Sequence, residues 1–169
     1  MVDPLVEQLR FTRSEWQRGL QEISAEEAAQ RFESINSIAW MVGHLAWQEQ
    51  AYWLDRAQGK IIAQNVLQCG FGQAVCNPAL VDMWESWHTI TQAADPYLDT
   101  LTTEKLQEYY IINGKAHRES IGTMLLRMIY HYWYHLGESQ AVRQMLGHSN
   151  LPGFVGNMKD VAYRPASER

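Results

Sequence analysis

SIGTMLLRMIYHYWYHLGESQAVRQMLG, residues 120–147, reads as one long amphipathic helix. Ser120 is placed to cap its start and Gly147 to end it. Ile121, Met124, Leu125, Met128, Ile129, Tyr132, Leu136 and Val142 recur at the three- and four-residue spacing that lines one helical face. His131 and His135 sit near its middle. Residues four apart on a helix have Cβ atoms about 6 Å apart, so two imidazoles can converge on one ion at about 2.0–2.1 Å each. A lone histidine in an apolar run would read as a packing residue; a pair at this spacing points to a metal.

Working upstream, the remaining long helices carry equally explicit signals. Asp3 as cap and Pro4 at the first helical position open a first helix, with Leu5, Leu9, Trp16 and Leu20 on one face, which ends near Gln21. Ser24 and Glu27 form a capping box for a short helix or turn reaching about Arg31. Ser34 or Ser37 caps a second long helix that runs to Gln58, before Gly59. From Gly59 to Asn77 the helical period dissolves into a long loop with Gly70 and Gly72.

A third long helix starts at Asn77-Pro78 and continues through Leu80, Met83, Trp84, Trp87 and Ile90. Asp95-Pro96 should break or kink it, with a further turn to about Leu101. Residues 102–119, with Tyr109, Tyr110, Ile111, Ile112 and then Asn113-Gly114, read as an extended crossover. The expected fold is all-α: an antiparallel four-helix bundle with a long loop after the second long helix. One domain is expected over residues 1–169, with a core at 3–147 and a C-terminal tail at 148–169.

Composition narrows the function classes. Fourteen Lys and Arg against nineteen Asp and Glu give a formal charge of −5, and the cations are scattered, which argues against nucleic acid as a partner. Asp3, Glu7 and Arg10 interrupt any signal-like start, and no apolar run approaches bilayer length, so a cytoplasmic protein with no membrane partner is expected. Cys69 and Cys76 lack the spacing of a zinc knuckle or redox motif and suggest a reducing compartment. Seven Trp and eight Tyr exceed what one small core requires, so a homodimer using the aromatic surface or the tail is expected.

The third ligand for a metal is best supplied by His44, in the second long helix. Two histidines from one helix and one from another leave coordination positions open, as a reactive site acting on a small molecule needs. Neutral imidazole suits zinc, nickel, copper or iron, and the residues do not choose among them. Glu85-x-x-His88 resembles half of a di-iron carboxylate motif, but no second copy exists, so it reads as a surface or packing pair. His117 and His148 fall in loops, where exposure is expected. Glu49 and Glu138 lie near the proposed ligands and are candidates for a base or a ligand-orienting group, with a solvated helix face as the plainer reading; Arg143 belongs with them. No Gly-x-Ser-x-Gly elbow or phosphate-binding loop is present.

Trp40-x-x-Gly43-His44-x-x-x-x-Glu49 and His131-x-x-x-His135-x-Gly137-x-x-x-x-x-Arg143 resemble the histidine motifs of the DinB/YfiT-like superfamily of metalloenzymes over about Ser34 to Gly147. The resemblance implies a four-helix bundle, often dimeric, with nickel or zinc held by His44, His131 and His135. It further implies thiol-dependent chemistry, in which a low-molecular-weight thiol activated by the metal attacks an electrophile. Metal-activated water in a hydrolase and a metal that only stabilises the bundle or a dimer are the alternatives.

Overall fold

The computed structural model describes residues 2–153 and 155–163. Its helices are α1 (Pro4–Gly19), α2 (Ala25–Ala28), α3 (Ile38–Glu49), α4 (Leu80–Leu98), α5 (Thr103–Leu106) and α6 (Ile121–Met145). Side-chain caps fix the starts of all but α4, which begins after Ala79 without one. Asp3 accepts from the Leu5 amide, Ser24 and Glu27 close a full capping box, and Ser37 rather than Ser34 caps α3. Ser120 accepts from the Thr123 amide at the head of α6.

The four long helices form the all-α bundle, and side-chain contacts give their directions. Ser37 meets Asn77, and Met83 lies beside Gly43, so α3 and α4 run parallel. Trp16 packs on Tyr132 and Gly19 on Leu136, so α1 and α6 also run parallel. Between the pairs the sense reverses: His44 faces His131 and His135, while Arg56 reaches Met124. Two parallel neighbours, α3 and α4, cannot be joined by a short turn. The chain must travel back a helix length, which is why residues 59–79 are long.

That connection is more ordered than its glycines suggest. A 3-10 turn at Asn65–Cys69 buries Val66 and Cys69, and Gln50 clasps the chain before it: its Oε1 accepts from the Ile62 and Ala63 amides, and its Nε2 donates to the Ala63 carbonyl. Gln50 also begins a π-helical segment, Gln50–Arg56, in which α3 widens before ending at Gly59, whose φ is +67°.

Two expectations need correction. Asp95-Pro96 does not break α4, which continues to Leu98. A proline removes one donor and crowds the preceding turn, but here it lies in the last turn, where Asp95 is held by Arg13 at 2.8 Å and Ala94 and Leu98 are buried. Residues 102–119 are not simply extended: Thr102 caps α5, and Asn113 and Gly114, at φ of +51° and +74°, turn a small antiparallel hairpin of β1 (Ile111–Ile112) and β2 (Lys115–Ala116). The tail is also partly anchored. The Gly156 amide donates to Glu15, Arg18 donates to the Gly153 carbonyl, and a 3-10 turn covers Met158–Val161. The rest of that tail, including Pro165, lies outside the described residues.

Gly43 shows how tightly α3 and α4 approach. A Cβ there would lie 2.7 Å from Cys69 Sγ and closer still to Met83 Sδ. Gly43→Ala is therefore expected to destabilise the protein by about 2 kcal/mol through overpacking, read as a lower urea midpoint at unchanged slope.

Candidate metal centre

The antiparallel contact of α3 with α6 sets His44 against the two α6 histidines. One ring nitrogen from each of His44, His131 and His135 lies within 4.8 Å of the other two. His44 and His135 are buried and His131 is half-buried. The sequence reading of these three as neighbours is therefore matched in space, and three histidines so placed can hold a metal ion.

Hydrogen bonds settle which nitrogens are free. His44 Nδ1 lies 2.7 Å from the Cys69 carbonyl, which only accepts, so Nδ1 carries the proton and Nε2 keeps its lone pair. His135 Nδ1 lies 2.7 Å from Glu138 Oε2 and is protonated by the same logic. Each ring is held through its outer nitrogen, as ligand histidines are. His135 Nε2 then faces His131 Nε2 at 2.9 Å. His131 Nδ1 has no partner, so a proton on His131 Nε2 donated to His135 Nε2 accounts for that approach, and a cation taking the place of that proton would be held by the same donor set.

Aromatic packing restricts His44 further. Trp40 stacks on its ring at 4.4 Å between centroids and Trp47 at 5.4 Å. These indoles stand four residues before and three after His44, so a single helix supplies the whole stack. Gly70 lets the loop backbone press on the Trp47 edge, where a Cβ would come within 3.1 Å.

Burial pushes the His44 pKa down to about 4, with His135 adding to the shift and the Cys69 carbonyl opposing it. Burial pushes His131 down to about 3, helped by His135 and His44. Both rings are thus neutral near pH 7, the form that ligates metals. A histidine whose folded pKa is depressed contributes its full stability above the unfolded value of 6.5, and the contribution is lost as pH falls toward the folded value. The metal-free protein is expected to lose roughly 3 kcal/mol from His44 alone between pH 6.5 and 4, measured by urea unfolding at stepped pH.

The other candidates separate clearly. Glu138 touches the centre through His135. Glu49 does not sit on a solvated face: it is fully buried and accepts both Arg13 Nε at 2.8 Å and Nη2 at 2.7 Å, and the Tyr132 hydroxyl at 2.9 Å. Trp87 Nε1 donates to that hydroxyl at 2.7 Å, so α1, α3, α4 and α6 meet in one polar knot behind the histidines. Arg143 is likewise buried, donating to the Gly19 carbonyl and to His148 Nδ1. His148 is not the exposed loop residue expected; it accepts from Arg143 and lies 2.9 Å from Glu27, tying the tail to α2. His88 is exposed beside Trp84 and Trp87 and takes no part in the centre. His117 stays local, against Glu119.

Sequence reasoning missed Cys69, whose contribution is a backbone carbonyl that no side-chain pattern announces. It also missed the indole stack, although Trp40 and Trp47 were legible as neighbours of His44. Burial holds the Cys69 thiol itself up at about 12, with Cys76 adding to the effect. Among the described residues, no helix is long and apolar enough to cross a membrane.

No curated protein matches the chain. The family model of the DinB superfamily matches residues 8–139, a span that runs from α1 through His44 to the two histidines of α6. With the match covering most of the chain, and with the bundle and histidine cluster agreeing with it, the chain belongs to the DinB superfamily.

Proposed function

We propose that His44, His131 and His135 hold one divalent ion, nickel or zinc, and that the protein is a thiol-dependent S-transferase acting on a small electrophile. A bound divalent ion supplies a Lewis acid that favours thiolate over thiol at neutral pH. The chain contributes the rest. The Cys69 carbonyl and Glu138 keep the Nδ1 protons of His44 and His135, so their Nε2 lone pairs stay available. Trp40, Trp47 and Tyr134, whose ring lies 5.1 Å from His135, give the surroundings an apolar character suited to an arene or similar electrophile.

The observation that favours a thiol over water is the state of the two carboxylates beside the ligands. A free carboxylate beside the ion would serve a metal-activated water as general base, whereas a thiol needs only its proton made more acidic. Glu138 is engaged with His135 and Glu49 with Arg13. The same reading takes the protein as a single-domain homodimer in the cytoplasm, with a monomeric mass by light scattering as the result against the dimer.

Metal analysis of protein purified without an affinity tag comes first, with one nickel or zinc per chain expected. Conjugation of a chlorinated arene follows, with and without a low-molecular-weight thiol. Turnover only with the thiol supports the transferase; turnover of an ester or amide without it favours a hydrolase; a bound metal with neither leaves a structural role.

A further inference from the structure

Cys69 and Cys76 lie in the same connection between α3 and α4, seven positions apart, with their Sγ atoms 3.9 Å from each other. Their surroundings differ. Cys69 is fully buried, its Sγ also 3.9 Å from Met83 Sδ and set against the bare backbone of Gly43. Cys76 is half-buried, and its thiol donates to the Gln68 carbonyl at 3.4 Å. The chain between them forms a surface loop: Phe71 and Val75 are 88% and 79% exposed, and Gly72, at φ of +79°, has open space where a Cβ would stand.

A disulfide requires the sulfurs to approach by about 1.9 Å, to a bond of about 2.05 Å. The segment that must move is exposed and glycine-containing, whereas Cys69 is fixed in the core. Cys76 is therefore the sulfur that moves and the one a reagent in solvent can meet.

We propose that Cys69 and Cys76 form a redox modification site that reacts with low-molecular-weight disulfides and closes to an intramolecular disulfide. The Cys76 thiol gives its proton to solvent, and its sulfur attacks one sulfur of the incoming disulfide. That S–S bond breaks, and the departing thiolate takes up a proton. Cys69 then loses its proton and attacks Cys76 Sγ, expelling the second thiolate, which is protonated in turn. The two protein thiols supply the two electrons, and one disulfide becomes two thiols.

The site is coupled to the candidate metal centre because the Cys69 carbonyl accepts from His44 Nδ1. Closing the bond tethers Cys69 to the segment that carries Cys76, so the strain of the closed loop falls on the backbone carbonyl that orients His44. The closed form therefore binds zinc about tenfold more weakly than the dithiol form, a consequence that rests on the metal reading above.

The test treats the reduced full chain with glutathione disulfide and follows intact mass, free thiols and mapped peptides. The expected product has lost two hydrogen atoms, retains no glutathione, shows no free thiol and gives a Cys69–Cys76 linked peptide. Cys69→Ser, checked for folding by circular dichroism, accumulates one glutathione on Cys76; Cys76→Ser stays unmodified. A stable glutathione adduct on the wild-type chain, a disulfide between two chains or two persistent thiols overturns the proposal. Zinc titration of both forms tests the coupling: equal affinities overturn it, while no zinc binding by either form refutes the metal reading and leaves the disulfide result standing.

Discussion

His131→Ala is expected to abolish stoichiometric metal binding while leaving the helices folded. His131 is the ring whose Nε2 lies 2.9 Å from that of His135, so its removal breaks the densest part of the donor set. Two nitrogens from opposite helices cannot enclose an ion, and affinity should fall by more than about a hundredfold, beyond what removing an orienting group costs. The helix itself rests on other residues: Met124, Leu125, Met128, Tyr132 and Val142 are buried on α6 and untouched by the change. Far-ultraviolet circular dichroism should therefore match the parent, while zinc content drops to background and thiol conjugation stops. Full metal content would show His131 to be a packing residue. Global unfolding would instead favour a structural metal.

Arg13→Ala should be the most destabilising single change outside the apolar core. Burial opposes the Arg13 charge, yet the Glu49 carboxylate outweighs it and raises the guanidinium pKa above its ordinary value. Removing the arginine leaves Glu49 charged, dry and short of two donors, a situation that costs about 3–5 kcal/mol. It also takes from Asp95 the nearer of its two arginines, leaving Arg10 at 3.5 Å, and so weakens the support of the last turn of α4. Replacing both partners with apolar residues of similar size, as in Arg13→Met with Glu49→Leu, should recover a large part of the loss, because no charge is then stranded. Urea unfolding of the two variants decides it: equal losses would mean that the pair stabilises through its geometry rather than by satisfying a buried charge. Tyr132→Phe, which removes one hydroxyl from the same knot, should cost about 1 kcal/mol.

The parts of this molecule governed by local rules were legible from the residues. Asp3, Ser24 and Ser120 cap the helices they precede, because a short oxygen-bearing side chain satisfies an amide that the helix leaves open. The spacing of His131 and His135 set both rings on one helical face for the same local reason, whereas the approach of His44 from α3 is a tertiary fact that its apolar setting only suggested. Long-range partnership was not legible. Glu49 looks like any surface carboxylate in the sequence, since nothing near it announces that Arg13 arrives from another helix. His148 and Arg143 were misjudged for the same cause, because their partners, Glu27 and Gly19, belong to the opposite end of the chain. The parallel course of α3 and α4 is also a tertiary fact. It turns an apparently formless loop into the carrier of the carbonyl that orients His44.

The stack of Trp40, His44 and Trp47 makes the candidate centre optically self-reporting. Two indoles in contact with a ligand ring sit well inside the range at which an open-shell ion drains an excited state. A closed-shell ion changes only the polarity around the rings. Nickel or copper entering the site should therefore dim the emission of these two tryptophans, while zinc should shift it without dimming. An unlabelled sample in a cuvette can thus distinguish occupancy by one class of ion from occupancy by the other, and can follow loading in real time.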